Sequence, residues 1–329
     1  MALPTWRSPR LYIAAQTPWQ RWHRSAFYPA FRARARLFRL LLRLGAAASG
    51  LPTRRAPAAQ EWSLGRFVRE TLPDLSSVSV LLGWPGPAQK TIVQCWDRQG
   101  EVVGYLKYAE RTAARMRLTR ERRVLDRLPR GVGPQLLKYG SWQEGKAMLV
   151  TPLRGEKLAP DLPPHESIVG FTDRLARDAD CVALRDHPWY RQHEWPGTLR
   201  PSLEALSEGQ WRVVPQHGDL APWNVRRSAA GRLRAFDWEY GRIQGFPYLD
   251  LAHYTLKVAA LIKDWSPPRA TEYTARYLAR RFPDALSLHQ ARALTRLSAY
   301  DTYREEEHNG RDLHNRWQRW RYEVWRQEL

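Results

Sequence analysis

The chain has 329 residues, 43% of them hydrophobic and 26% charged, with a formal net charge of +20 and two cysteines. That length exceeds one small core and fits two lobes with an extension, and no run of about eighteen apolar residues is present to cross a bilayer. Cys95 and Cys181, one in a predicted core strand and one in a predicted helical stretch, suggest neither a disulfide framework nor a metal site and fit a reducing compartment.

The first sixty residues carry eleven arginines and no Asp or Glu, so +11 of the total sits there. No secretory apolar core with a small-residue cleavage site is expected. Pro29 starts a predicted helix that runs through Leu44. Arg32, Arg36, Arg39 and Arg43 align along it, and Phe31, Leu37, Phe38, Leu40, Leu41, Leu42 and Leu44 cover most of the remaining circumference. Several uses stay open. The helix packs on the rest of the chain with its arginine face in solvent, or residues 29–44 touch an anionic membrane surface. A transit peptide is also Arg-rich, but the tryptophans and prolines suit it poorly. Loose, salt-sensitive binding to nucleic acid is open too, yet no nucleic-acid motif accompanies the charge, so no specific nucleic-acid partner is expected. The expected location is cytoplasmic, with a peripheral position at the inner membrane face if the helix docks there. Residues 52–57 read as a linker, which closes a basic helical extension over 1–60.

A strand is predicted over 77–82 (SVSVLL), then a Gly-Trp-Pro-Gly-Pro turn at 83–87 and a second strand over 90–96. A turn at 97–100 leads to a third strand, 102–108, in which Lys107 shares a face with Val103 and Tyr105. A helix is predicted over 112–128, with Ala114, Leu118, Leu125 and Leu128 on one stripe and Glu121 in the middle of it. Its neighbours Arg120, Arg122 and Arg123 point elsewhere. A carboxylate on an apolar face costs roughly several kcal/mol unless it is paired. Lys107 is the natural partner; the bland reading is a solvated Glu at a helix rim. Residues 148–153 (MLVTPL) read as a buried strand entering a linker. These elements place a first lobe at 61–153 and a second at 154–329.

Residues 160–210 read as largely helical, with an aromatic, proline-marked loop at 186–196 whose His187 and His193 lack a convincing metal-ligand spacing. Next comes HGDLAPWN, from His217 to Asn224, and after an apolar strand at 233–236, Asp237. Asp219, Asn224 and Asp237 suit phosphoryl transfer: one carboxylate meets an acceptor hydroxyl, while an amide oxygen and a second carboxylate hold a metal against nucleotide phosphates. A polar turn and a strand-end cap are the bland alternatives. From Asp250 the chain reads as helical to its end. A last helix over 313–325 carries a stripe of Leu313, Trp317, Trp320 and Val324. The acidic run 305–307, with Asp301, reads either as a solvated face or as a surface for a cationic acceptor.

HGDLAPWN, FDWE at 236–239 and GFPYLDLAHY at 245–254 resemble the aminoglycoside phosphotransferase and choline kinase group, whose members share the protein-kinase fold. The resemblance extends more weakly from about Ser76 onwards. It implies an α+β, two-lobed protein-kinase-like fold: a small antiparallel-sheet N-lobe, a mainly helical C-lobe and here an Arg-rich helical N-terminal extension. It implies that Asp219 orients the acceptor hydroxyl and accepts its proton. Asn224 and Asp237 match the metal ligands, His217 a structural loop residue, Asp250 a buried brace, and Glu239 a position where the family often has an acid. Lys107, paired with Glu121, would grip the α- and β-phosphates of ATP, with Met148 and Val150 on the adenine and Mg2+ as the metal. Trp189, Tyr190 and Trp195 are candidates to line the acceptor pocket, with core packing as the alternative.

The Gly-Trp-Pro-Gly-Pro turn departs from Gly-x-Gly-x-x-Gly, and its prolines remove backbone donors. The expected activity is transfer of the γ-phosphoryl group of ATP to a hydroxyl of a small molecule. The basic charge favours a sugar or glycolipid precursor over a polycationic aminoglycoside. The alternative is a kinase-fold scaffold or regulator that binds nucleotide or a partner without turnover. A protein kinase is disfavoured by His-Gly-Asp, which lacks the arginine, and by Asp-Trp-Glu in place of Asp-Phe-Gly.

Overall fold

The period-two segments of the chain lie before residue 151 and long helical periodicity follows residue 249, and the structure divides along similar lines. The computed structural model describes residues 2–3, 10–28, 30, 33–48, 63–177, 179–310 and 313–329. The expected helix start at Pro29, Phe31 and Arg32 and the linker at 52–57 lie outside them. Two compact units are present: Met1–Arg122 with Pro134–Pro152, and Arg123–Gly133 with Leu153–Leu329.

The first unit holds seven strands: β1 (Ala2–Leu3), β2 (Leu11–Ile13), β3 (Ser77–Leu82), β4 (Thr91–Trp96), β5 (Val102–Ala109), β6 (Leu136–Trp142) and β7 (Gly145–Val150). They form one antiparallel sheet in the order β1-β2-β3-β4-β5-β7-β6. The period of two sorts its central residues onto two faces. Val93, Cys95, Leu106, Ala147 and Leu149 point to a core completed by Leu64, Phe67 and Val68 of α3 (Ser63–Arg69). Lys107 stands opposite Ile92 and Met148, and Tyr105 opposite Gln94 and Val150, so these six side chains share the other face. The strands β1 and β2 and the hairpin partner β6 were absent from the expected set. Their short or mixed sequences carry little alternation, and the open edges of β3 and β7 recruit them. Strand β7 also starts and ends about three residues before the expected 148–153.

Helices α1 (Pro18–Ser25) and α2 (Ala33–Ala47) belong to the same unit. Leu42 and Ala46 of α2 pack with Leu11 and Ile13 of β2, while Phe27, Tyr28 and Leu81 close the cluster. Helix α4 (Thr112–Leu125) buries Ala114, Leu118 and Glu121 and stops one turn short of the predicted end.

The second unit contains α5 (Glu166–Leu175), β8 (Cys181–Ala183), α6 (Pro188–Arg191), α7 (Arg200–Glu204), β9 (Gln210–Arg212) and β10 (Val214–Gln216). It continues with β11 (Val225–Arg227), β12 (Leu233–Ala235), β13 (Arg242–Gly245), α8 (Leu249–Leu261), α9 (Pro267–Arg281), α10 (Leu288–His308) and α11 (Arg316–Arg326). Its strands form three small antiparallel ladders, β8–β9, β10–β13 and β11–β12. Cys181 is therefore an exposed strand residue, not a helical one. A single large core joins the inner faces of α5 and α8–α11, and Trp189, Trp238, Tyr254, Phe171 and Phe246 are its largest fully buried side chains. Among the described residues, no helix is long and apolar enough to cross a membrane.

Candidate active site

In the sheet unit, Lys107 Nζ lies 2.7 Å from Oε1 and 2.9 Å from Oε2 of Glu121. Lysine and glutamate are 7% and 1% exposed, so the pair is buried. The lysine sits on a central strand and the glutamate on the inward stripe of α4, which explains why helix and sheet lock together at this point. Met148 and Val150 are buried on the same face of the sheet as Lys107. Gln94 Nε2 donates to the Tyr105 hydroxyl at 3.0 Å on that face.

In the helical unit, the segment from His217 to Asn224 links β10 to β11. Gly218 takes φ +75, and a Cβ there would lie 2.4 Å from the Tyr240 carbonyl oxygen, so only glycine fits without displacement. Leu220 and Ala221 anchor the loop in the core, and Pro222 opens a 3-10 turn that ends at Asn224. His217 is fully buried beside Trp238, with ring centroids 4.6 Å apart. Its Nε2 lies 3.0 Å from the Phe236 carbonyl, which can only accept, so Nε2 carries the proton. Nδ1 is thereby left to accept the Asp219 amide N–H at 3.2 Å. The imidazole thus ties the loop to the end of β12.

Asp250, at the start of α8, accepts the backbone N–H of His217 at 2.6 Å and of Gly218 at 2.9 Å. Burial outweighs these donors and raises its pKa above the ordinary carboxylate value. Three and seven residues along the same helix come His253 and Lys257, on the face that carries Asp250. His253 Nε2 lies 3.2 Å from Asp219 Oδ1, and Lys257 Nζ makes an ion pair with the same oxygen. Asn224 donates from Nδ2 to the Asp219 carbonyl at 2.9 Å and to Oδ2 at 3.1 Å. Burial alone would raise the Asp219 pKa; Lys257 and His253 outweigh it and hold the carboxyl well below its ordinary range. For His253 burial dominates, and its pKa falls to about 4.

Asn224 and Asp237 are joined through the hairpin of β11 and β12, where the Phe236 N–H donates to the Asn224 carbonyl at 2.9 Å. Asp237 follows directly, with φ 69 and ψ 51, a left-handed conformation uncommon for a side chain other than glycine. Strain of this kind gathers at functional positions. Asn224 turns its amide nitrogen to Asp219, which leaves its side-chain oxygen as an acceptor. One amide oxygen and one carboxylate form a hard oxygen donor set, suited to Mg2+ completed by water and phosphate. Among the described residues, no group of three or more His, Cys, Asp and Glu side chains is arranged as a metal cage. Glu239 is buried in the 3-10 turn that follows.

His253 and Lys257 were not expected from sequence. Their signal was present in LDLAHYTLKVAAL, where polar residues recur at steps of three and four on a helix otherwise buried all round.

The acidic region of α10 behaves differently from either expectation. Asp301 is buried and pairs with Arg242 at 3.0 Å and with His193 at 3.1 Å, while Trp189 Nε1 donates to it at 3.3 Å. Burial would raise its pKa, but Arg242 and His193 hold it well below the ordinary range. Glu306 accepts from the Tyr240 hydroxyl at 2.7 Å. Asp301 and Glu306 are thus bonded inside the fold, and of the run 305–307 only Glu307 is exposed. Trp189 is fully buried core; Tyr190 and Trp195 are partly buried against that core, with Trp195 Nε1 donating to the Tyr190 carbonyl at 3.0 Å.

No protein family and no curated protein matches the sequence. Solved structures of WbdD do align with it. A high-resolution WbdD crystal structure is 14% identical with a TM-score of 0.33, over 69% of this chain and 46% of that one. A co-crystal of WbdD with a kinase inhibitor is 16% identical with a TM-score of 0.31, over 66% of this chain and 45% of that one. A medium-resolution structure of WbdD, described as a bifunctional kinase-methyltransferase, is 15% identical with a TM-score of 0.32, over 64% and 42%. The chain thus spans less than half the length of these WbdD chains.

Proposed function

We propose that the protein is an ATP-dependent phosphotransferase that moves the γ-phosphoryl group to a hydroxyl of a small molecule. The observation that carries this reading is the setting of Asp219: a partly open carboxylate, fixed by an amide, a lysine and an imidazole, in a loop tied by a hydrogen bond to Phe236, the residue before Asp237. Such a carboxylate is kept ionised and oriented, and it is a weak base. It suits a reaction in which positioning and charge neutralisation do most of the work and the hydroxyl proton moves late.

In this scheme Oδ1 of Asp219 is occupied by Lys257 and His253, and Oδ2, which also accepts from Asn224, is the oxygen that aligns the acceptor hydroxyl and takes its proton. The acceptor oxygen forms a bond to the γ-phosphorus as the bond to the β,γ-bridging oxygen breaks. Lys107, held by Glu121, binds phosphate oxygens; Met148 and Val150 pack on the adenine. Asn224 and Asp237 hold Mg2+, which supplies charge neutralisation of the phosphates when bound. Asp250 and His217 keep the loop in place and touch no reactant. The net charge of +20 favours a neutral or anionic acceptor, such as a sugar or glycolipid precursor, over an aminoglycoside.

The test is ADP release by purified protein with ATP and Mg2+ across sugars, amino alcohols and aminoglycosides, each repeated with Asp219→Asn. Turnover with a neutral or anionic hydroxyl compound, lost in the variant, supports the reading. Nucleotide binding without ADP release on any acceptor would favour a scaffold that uses the fold for binding alone.

A further inference from the structure

Helix α2 turns two opposite faces to two different surroundings. Leu42 and Ala46 point inward and pack on Leu11 and Ile13 of β2. On the other side Leu37, Leu40, Leu41 and Leu44 fall within one stripe at steps of three, one and three, and they are 44–59% exposed. Phe38 is exposed beside the stripe, and exposed Arg34 and Arg36 flank it. A surface helix of a monomer ordinarily turns its leucines inward; this one leaves most of them in water. Among the described residues, six of the ten large exposed hydrophobic side chains, with Trp19 the sixth, belong to α1 and α2. A contiguous apolar patch of this kind marks an interaction surface.

From sequence two uses stand side by side: an arginine face in solvent, or residues 29–44 laying arginines and large apolar side chains on an anionic membrane surface. The structure separates the arginines. Arg43 stacks on the Trp22 ring at 3.8 Å and donates to the Trp22 carbonyl at 3.1 Å, so it serves the α1–α2 contact. The leucines are the outward element, with Arg34 and Arg36 at their borders.

We propose that this outward face of α2 docks on an anionic lipid surface, with the helix lying in the plane of the interface. Charge complementarity selects that occupant. Residues 1–60 hold eleven arginines and no carboxylate side chain, so a second copy of the chain would bring arginine against arginine with nothing to neutralise it. Anionic headgroups supply the missing charge, and the acyl boundary accepts the leucines. At about 1.5 Å per residue, the 15 residues of α2 extend for roughly 22 Å, and with its arginines the helix does not span a bilayer. The proposal is independent of the phosphotransfer reading.

The experiment is flotation of the full-length chain with phosphatidylcholine vesicles and with vesicles that also contain phosphatidylglycerol, at about 0.05 M and about 0.5 M salt. The expected result is flotation with the phosphatidylglycerol vesicles at low salt, weakened at high salt, and none with phosphatidylcholine alone. The variant Leu37→Ser/Leu41→Ser/Leu44→Ser should lose partitioning on the order of a hundredfold, with an unchanged Tm because the three side chains already face water. Arg34→Gln/Arg36→Gln should weaken flotation with the fold intact. The proposal is overturned if the intact protein does not float with phosphatidylglycerol vesicles, or if both variants float as the intact protein does. A dimer that the leucine variant converts to monomer, with no vesicle binding, would also overturn it and assign the face to a second copy.

Discussion

Among the described residues, a buried lysine meets a carboxylate in each unit, Lys107 with Glu121 and Lys257 with Asp219, and the two pairs are built differently. In the sheet unit, Lys107 engages both oxygens of Glu121, and the pair is closed. In the helical unit, Lys257 and His253 converge on one oxygen of Asp219, whose side chain keeps 21% of its surface exposed. The glutamate therefore has the geometry of a clamp on its lysine, whereas the aspartate has the geometry of a group held ready for something else. A buried ion pair is weak evidence for stability by itself, because desolvation offsets much of the Coulomb gain. What distinguishes the pairs is access: the Asp219 side chain is 21% exposed and the Glu121 side chain 1%, and a fixed carboxylate that solvent can reach is a functional signature.

The contrast can be broken at either pair. Lys107→Met leaves Glu121 buried without its lysine and should cost about 3–5 kcal/mol of stability by urea denaturation. Lys107→Met/Glu121→Leu should recover most of that loss without recovering nucleotide binding. A single variant as stable as the parent would mean that the pair is not closed in solution. At the other pair the larger effect is on chemistry. Asp219→Asn should lower kcat on the order of a hundredfold or more while ATP affinity by calorimetry stays near that of the parent. Activity within about threefold of the parent would remove Asp219 from the reaction.

Two pH experiments sharpen the comparison further. Lys257 is among the groups that hold the Asp219 pKa low, so the ionised carboxylate should persist until pH falls below the ordinary carboxylate range. Lys257→Met removes that support, and the acid limb of the kcat profile should move to higher pH. A profile that keeps its acid limb in place would show that Lys257 does not govern this ionisation. The smallest effect is expected from His253. Its pKa is lowered from 6.5 to about 4, so between those values the unfolded chain binds more protons than the folded one. Stability should then fall as pH drops from about 6.5 towards about 4, and the His253→Gln variant should flatten that part of the Tm–pH curve.

Much of the helical-unit constellation was legible because the residues are close in sequence. His217, Asp219 and Asn224 share one loop, and Asp237 follows the adjacent strand, so motif spacing and hairpin geometry are nearly the same information. Asp250 was legible through the pattern that opens its helix. Lys257 was not, because a lysine in a helix is ordinarily solvated and only the packing of α8 against the loop turns this one inward. Asp301 was misjudged for the converse reason: a carboxylate near an acidic run looks solvated until Arg242 and His193 arrive from distant elements.

From the sequence alone follow the strands with clear period-two alternation, β3, β4 and β5, the inward placement of Glu121 on α4, and the bunching of polar groups in one loop. These are local matters, set by backbone periodicity and by the side-chain chemistry of neighbouring residues. Tertiary structure alone decided that Lys257 is buried, which oxygen of Asp219 it pairs with, and which face of α2 meets water. Each of those depends on the free energy of removing a group from solvent, and only contacts between distant segments determine that quantity.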